Sequence, residues 1–121
     1  MAEKKGIALA LLKVLREYTD ARHHLSASEL IDKLSEDYGY ELERRTLYAN
    51  VRLLQEFGYK IDVWRKGSDG YALTEHQFTE KEVFKLCDLL EESDDFTPRE
   101  KKKLKKKLLQ TLSKNQRKNY I

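Results

Sequence analysis

The sequence has few of the residues that cross-link, kink or loosen a chain: its 121 residues include one cysteine, one proline and five glycines. A lone Cys87 cannot form an intramolecular disulfide, which excludes a disulfide-stapled secreted scaffold and favours the reducing cytoplasm. The apolar run at residues 7–12 is too short to span a bilayer, so we expect neither a signal peptide nor a membrane anchor. The length suits one compact domain with a short appendage.

Patterns typical of catalysis or metal binding are also absent from the sequence. The histidines His23, His24 and His76 have no metal-ligand spacing with each other or with Cys87. The sequence contains no glycine-rich phosphate loop, no nucleophile elbow and no carboxylate pair beside a histidine. We therefore expect a protein that is not an enzyme and that uses no metal or cofactor.

Charge is abundant but unevenly distributed, so the formal net charge of +3 conceals opposed blocks. Residues 1–60 carry ten basic and ten acidic side chains, and residues 61–78 carry two and three. Residues 79–96 carry two basic and seven acidic side chains, whereas residues 97–121 carry ten and one. The basic surplus therefore lies at the C-terminal end, directly after an acidic segment.

Apolar residues at intervals of three and four predict three helices in the first half of the chain. The first spans residues 4–18. The second begins at a capping box formed by Ser26 and Glu29 and ends at Gly39, which supplies the positive φ that closes many helices. The third spans residues 43–57.

The third helix has two distinct faces when its residues are placed at about 100° intervals. Its inward stripe consists of Leu47, Val51 and Leu54. The outward face consists of Arg45, Ala49, Arg52 and Glu56, with Tyr48 at the flank.

Two short β-rich segments, 59–64 and 71–73, follow around a glycine-bounded turn and predict a β-hairpin. Three helices and a hairpin in this order predict a winged helix-turn-helix over residues 1–78, in a chain that is mainly α with a small β-hairpin.

Residues 79–121 predict two further helices, which form a C-terminal helical hairpin. The first opens with a capping box at Thr79 and Glu82, and the second with a box at Thr97 and Glu100. The inward residues of the first are Val83, Leu86, Cys87 and Leu90. The second carries Leu104, Leu108 and Leu112 on one stripe. We expect this hairpin to form a homodimer interface through Val83, Leu86, Leu90, Leu104, Leu108 and Leu112.

The third helix is the element that enters the major groove in a helix-turn-helix, where an arginine fork can pair with guanine. The predicted DNA-binding residues are Ser28, Arg44, Arg45, Thr46, Tyr48, Arg52 and, on the wing, Arg65 and Lys66. Ser28 and Thr46 are expected to contact phosphates through their hydroxyl groups. The alternative is an ordinary solvated helix whose arginines pair with Glu41, Glu43 or Glu56.

The lysine-rich segment 101–107 is a candidate phosphate-binding tail, through Lys101, Lys102, Lys105 and Lys106. The alternative is that the preceding acidic helix lies antiparallel to it and neutralises it. Attraction to an anionic membrane is disfavoured, because the polar arc is broad and the apolar stripe has no aromatic residue.

Several segments together resemble a known family, the bacterial and phage transcriptional regulators with a WYL domain. They are LSASEL at 25–30, RRTLY at 44–48, Leu54, FGYKI at 57–61 and GYAL at 70–73. The similarity covers the N-terminal winged helix-turn-helix of that family. It extends to residues 78–82, which resemble its first linker helix, and to residues 112–118, which resemble the end of its second.

The resemblance implies sequence-specific binding of double-stranded DNA. This sequence differs from the usual pattern of the family in two respects. Family members usually carry arginine and aspartate where this chain has Ala49 and Asn50, so the centre of the outward face lacks a charge. The sequence ends at Ile121, where the ligand-sensing WYL domain would begin, and we expect that sensor to be absent.

We therefore expect a cytoplasmic, homodimeric DNA-binding regulator of transcription that acts as a repressor. The alternative is a phage-type protein-interaction module or inhibitor on a winged-helix scaffold, which binds a host protein or nucleoprotein complex. A third interpretation is RNA binding through the lysine-rich helix alone.

Overall fold

The structure, a computed structural model, describes residues 6–64 and 70–120. Within those ranges the chain has six helices and one two-stranded antiparallel sheet. In chain order the elements are α1 (Ile7–Tyr18), α2 (Ala27–Tyr38), α3 (Arg44–Glu56), β1 (Ile61–Trp64), β2 (Gly70–Leu73), α4 (Glu80–Glu92), α5 (Pro98–Leu109) and α6 (Lys114–Arg117). The prediction of a mainly helical chain with a small antiparallel sheet is confirmed.

Helices α2, α4 and α5 begin where the capping boxes in the sequence predict. Ser26, Thr79 and Thr97 each accept a hydrogen bond from the backbone N–H three residues later, and each capping box is complete. Helix α2 ends at Gly39, whose φ of 73° is the left-handed conformation that glycine adopts without strain. No helix in the described part of the chain is long and apolar enough to cross a membrane.

The main core is built around α1, which packs on α2, α3 and β2. Leu11 and Leu15 of α1 are fully buried together with Leu30 and Leu34 of α2 and Leu47 of α3. Each such leucine contributes about 2 kcal/mol through burial of apolar surface. This packing determines which face of α3 is left in solvent.

A second, smaller core joins α4 to the end of the chain. Val83 and Cys87 are fully buried with Leu112, and Phe84 and Tyr120 pack around them. Glu91, near the end of α4, contacts Lys101 in the first turn of α5 and Lys105 in its middle. Since the start of α4 meets the end of the chain, α4 and α5 run antiparallel, as the predicted helical hairpin requires.

The C-terminal helix differs from the prediction in its length. Helix α5 ends at Leu109, and Leu112 lies in the link to α6 rather than on the helical stripe with Leu104 and Leu108. The chain turns here because the Thr111 hydroxyl donates to the Leu108 carbonyl and Ser113 caps the short α6. The turn places Leu112 inside the second core.

The prediction for α4 is wrong at Leu86, which is 40% exposed although its spacing suggested an inward position. Val83 and Cys87 occupy the inward positions, and Leu90 is half-buried. The apolar face of α4 is wider than the surface that α5 and Leu112 cover.

Buried polar residues join the two parts of the chain at the end of α1. The Asp20 carboxylate accepts hydrogen bonds from the Ser113 hydroxyl and from the Arg22 backbone N–H, and it contacts the His23 ring. Both Asp20 and Ser113 are buried. Burial alone would raise the pKa of Asp20, but these hydrogen bonds outweigh it and hold the pKa below its ordinary value.

His76 makes a second link between the two parts. Its Nε2 lies 3.0 Å from the Thr19 carbonyl oxygen and its Nδ1 lies 3.1 Å from that of Thr111. These two contacts tie the segment before α4 to the end of α1 and to the link before α6.

We expect Asp20→Ala to lower the free energy of unfolding by about 2 kcal/mol, because it leaves the buried donors of this junction without an acceptor. Asp94→Ala is the matched control, since Asp94 is exposed, and its effect should stay within about 0.5 kcal/mol. Urea denaturation followed by circular dichroism measures both.

The difference in free energy of unfolding between wild type and Asp20→Ala depends on pH, and it should decrease in acid. The pKa of Asp20 is lower in the folded chain than in the unfolded chain, so its stabilisation is present above the unfolded value of about 3.9 and is lost as the pH falls through the folded value. The difference between wild type and Asp20→Ala should be constant near neutral pH and shrink in acid. A difference that grows on acidification would contradict a stabilising role of the ionised Asp20 carboxylate.

Candidate nucleic-acid interface

Helix α3 presents the two faces that its sequence predicts. Leu47, Val51 and Leu54 are buried in the main core, so the opposite side is in solvent. The exposed residues of that side are Arg45, Ala49, Arg52 and Glu56.

The start of α3 is tied to the start of α2 by a hydrogen bond. Arg44 Nη2 donates to the Ser28 hydroxyl oxygen at 2.9 Å, and both residues are exposed. Ser28 and Arg44 are therefore brought together, as two neighbouring surface groups at the edge of the turn between the helices.

Arg45 and Arg52 have no ion pair or hydrogen bond from their side chains within the described part of the chain. Glu41 was one of the acidic residues considered as an ion-pair partner of these arginines. Its carboxylate instead accepts a hydrogen bond from the Ser35 hydroxyl at 2.6 Å. Their guanidinium groups, seven residues apart on one helix, are thus available for a ligand about 10 Å long.

Tyr48 lies between the exposed face and the sheet. Its ring stacks on that of Tyr71 in β2, with centroids 6.5 Å apart and an interplanar angle of 25°. The β2 backbone at Tyr71 in turn pairs with that of Leu25, just before α2. This stack, which no local sequence signal indicates, fixes α3 against the sheet.

Thr46 and Asn50 lie less favourably for contact with a ligand. Thr46 is half-buried, and its carbonyl accepts a hydrogen bond from Asn50 Nδ2 at 2.9 Å. The Asn50 amide is thereby turned back onto its own helix, and Ala49 beside it has no polar group. The centre of the outward face therefore consists of small or internally bonded residues between two arginines.

The predicted wing is described only in part. Arg65 and Lys66 lie outside the described residues, as does the turn that follows them. Trp64 is 53% exposed, and its ring is tilted against that of His24 with centroids 6.5 Å apart. Trp64 is thus a surface residue at the edge of the sheet.

The lysine-rich tail lines a groove with a volume of about 860 Å³, which we call the α5 groove. Its basic residues are Lys101, Lys102, Lys105, Lys106 and Arg117. Two carboxylates, Glu17 and Glu91, also line it, and they pair with Arg117 and Lys105. The sequence prediction missed Arg117 and Glu17 because these residues are 100 positions apart.

The acidic helix compensates the tail only slightly. In the described ranges one ion pair joins α4 to α5, between Glu91 and Lys105 at 2.8 Å. The hydrogen bond from Lys105 lowers the pKa of Glu91, and the same bond raises the pKa of Lys105. The predicted neutralisation is therefore local to one pair of residues.

Groups suited to other chemistry are scarce in the described residues. No cluster of three or more His, Cys, Asp or Glu side chains there could hold a metal ion. Cys87 is buried in the second core, and burial raises the pKa of its thiol, so the nucleophilic thiolate is disfavoured.

We expect Arg45→Ala and Arg52→Ala to leave the free energy of unfolding within about 0.5 kcal/mol of wild type, because neither side chain has a partner to lose. Leu47→Ala, on the opposite face of the same helix, should cost about 3 kcal/mol through loss of core packing. Thermal and urea denaturation distinguish the two outcomes. A large loss from either arginine substitution would indicate a structural role.

Comparison with known proteins leaves function to be inferred from these residues and their geometry: no family model, no curated protein and no solved structure matches the chain.

Proposed function

We propose that this protein is a winged helix-turn-helix regulator that binds double-stranded DNA in a sequence-specific way and acts as a homodimer, as a repressor in the cytoplasm. The observation that carries the proposal is the pair of exposed, unpaired arginines, Arg45 and Arg52, on the outward face of α3. The resemblance of the N-terminal segments to WYL-domain regulators supports the same function.

The order of elements supports the winged form of the motif. Helices α2 and α3 are separated by residues 39–43, and the two strands follow α3 after a short link. In such a motif the helix after the turn lies in the major groove, which is about 12 Å wide and admits one helix. The Arg44 to Ser28 hydrogen bond would then lie at the edge of the groove, beside the phosphates.

Arg45 and Arg52 are assigned the reading of bases, because an exposed arginine fork pairs with the O6 and N7 acceptors of guanine. Arg44, Ser28 and Tyr48 are assigned to the backbone, where they orient the helix. Arg65 and Lys66 of the wing are proposed to contact phosphates as well.

Selection of bound duplexes from a random pool tests specificity first, and an enriched palindrome is expected for a homodimer whose half-sites are about 34–36 Å apart. Arg45→Ala should then weaken binding to the selected site by about 1–3 kcal/mol while changing binding to random duplex much less. Fluorescence anisotropy at fixed salt measures both affinities.

Glu56→Ala is the matched control, since Glu56 is exposed on the same face and carries the opposite charge. Equal losses on selected and random duplexes would remove the base-reading role of Arg45. A purified protein that ignores duplex DNA but elutes with a protein partner would favour the interaction-module alternative.

The homodimer is proposed to form through the part of the α4 surface that remains uncovered. Val83 and Leu112 are buried within one chain, so a second copy cannot reach them. Leu86 is 40% and Leu89 56% exposed on α4, and Leu90, Leu104 and Leu108 are half-buried. Across a two-fold axis, the acidic side chains of α4 in one copy would face the basic side chains of α5 in the other.

We expect Leu86→Asp with Leu89→Asp to give a monomer, because the change places charges in an apolar interface without disturbing the core. Lys81→Asp makes the same change in charge at an exposed residue in the first turn of the helix, away from Leu86 and Leu89. It is the control and should leave the dimer intact. Sedimentation velocity over a range of concentrations measures the oligomeric state. A monomeric wild type at high concentration would contradict this interface.

A further inference from the structure

The α5 groove is a second basic surface, separate from the exposed face of α3. Its lining comes from α1, α4, α5, α6 and the link before α6, and includes no residue of α2, α3 or the strands. The arginines of α3 point away from the core that separates α3 from this region. A ligand of the groove is therefore bound by residues that the DNA-reading face does not use.

The groove has more positive than negative charge. Five cationic side chains line it against two carboxylates, and each carboxylate is paired with one cation. Lys101 donates to the Glu91 backbone carbonyl at 2.9 Å, which fixes its position without neutralising its charge. Lys102 and Lys106 are exposed and have no side-chain partner in the described ranges.

The shape of the groove favours an extended anion. Its lining follows α5 from Pro98 to Gln110, a length of about 18 Å at 1.5 Å per residue. Lys102 and Lys106 are one helical turn apart, about 6 Å along that line. A row of cations of this length is suited to successive charges on a polymer rather than to one compact phosphate.

The chemistry of the lining distinguishes between kinds of polymer. Proteins that bind single strands without sequence preference stack bases on aromatic side chains. The described lining has no aromatic residue, and its apolar part is Pro98, Leu109 and the lysine stems. A duplex, whose bases are already stacked and whose outer surface is phosphate, needs only the cations.

We propose that the α5 groove binds the phosphodiester backbone of duplex DNA independently of sequence, with Lys102 and Lys106 as the principal contacts. Lys101, whose partner is a neutral carbonyl, adds to the positive potential, whereas Lys105 and Arg117 are each paired with a carboxylate. The protein then has two surfaces for DNA, one on α3 and one on α5.

The test compares two double variants of identical charge on one helix. Lys102→Gln with Lys106→Gln removes the two free lysines of the groove, and Lys103→Gln with Lys107→Gln removes two lysines that do not line it. Binding of each to a random-sequence 20-bp duplex is measured by anisotropy over a range of salt concentrations. Circular dichroism checks that both variants melt like wild type.

The groove variant should reduce the slope of log K against log salt by about 2, since each lost phosphate contact contributes about 0.9. The control variant should change the slope by less than half as much. Equal changes would show that only total charge matters, and no change in either would show that the groove is not used. Either result overturns the proposal.

A competition experiment separates phosphate from carboxylate ligands. Polyglutamate with as many charges as the duplex should displace labelled DNA poorly from the wild type. If it competes as well as unlabelled duplex, the groove is a surface for acidic protein segments and the DNA proposal is overturned. Preferential binding of duplex RNA over duplex DNA would overturn it as well.

The result does not depend on the function proposed for α3. In the Arg45→Ala and Arg52→Ala background, the groove variant should still lower the salt slope on random duplex. If α3 proves not to read DNA, the groove variant still has the smaller slope of log K against log salt. If the groove proposal fails, selective binding through Arg45 is unaffected.

Discussion

A carboxylate buried at the end of α1 has to be hydrogen-bonded, and this requirement joins the two parts of the molecule. Asp20 receives its donors from Arg22 nearby and from Ser113, 93 residues further along the chain. The pairing of Arg117 with Glu17 lies beside this junction. Because Ser113 is held at Asp20, α6 is placed against α1, and the α5 groove acquires one of its walls.

The main core imposes a second constraint, on α3. Leu47 and Val51 are buried against α1, so the helix cannot rotate to bury its arginines, and Arg45 and Arg52 remain in solvent. The stack of Tyr48 on Tyr71 holds the same helix against the sheet. A rigid helix with free guanidinium groups is the arrangement that base reading requires.

Charge in this protein is segregated along the sequence and remains largely segregated in the fold. The acidic α4 lies along the basic α5, yet one ion pair connects them in the described ranges. A positive surface therefore persists next to a negative one, while residues 1–60 are neutral in sum. Affinity for a polyanion must come from where particular cations point, since the net charge of +3 is small.

The sequence alone determined what depends on neighbouring residues: the capping boxes at Ser26, Thr79 and Thr97, the closure of α2 at Gly39, and the two faces of α3. These features act over three or four positions, so their signal is local. Only the tertiary structure decided that α5 ends at Leu109, that Leu86 is exposed, and that Glu17 and Arg117 meet. Such contacts depend on which distant surfaces pack together, and residues 100 positions apart carry no mutual pattern in a single chain.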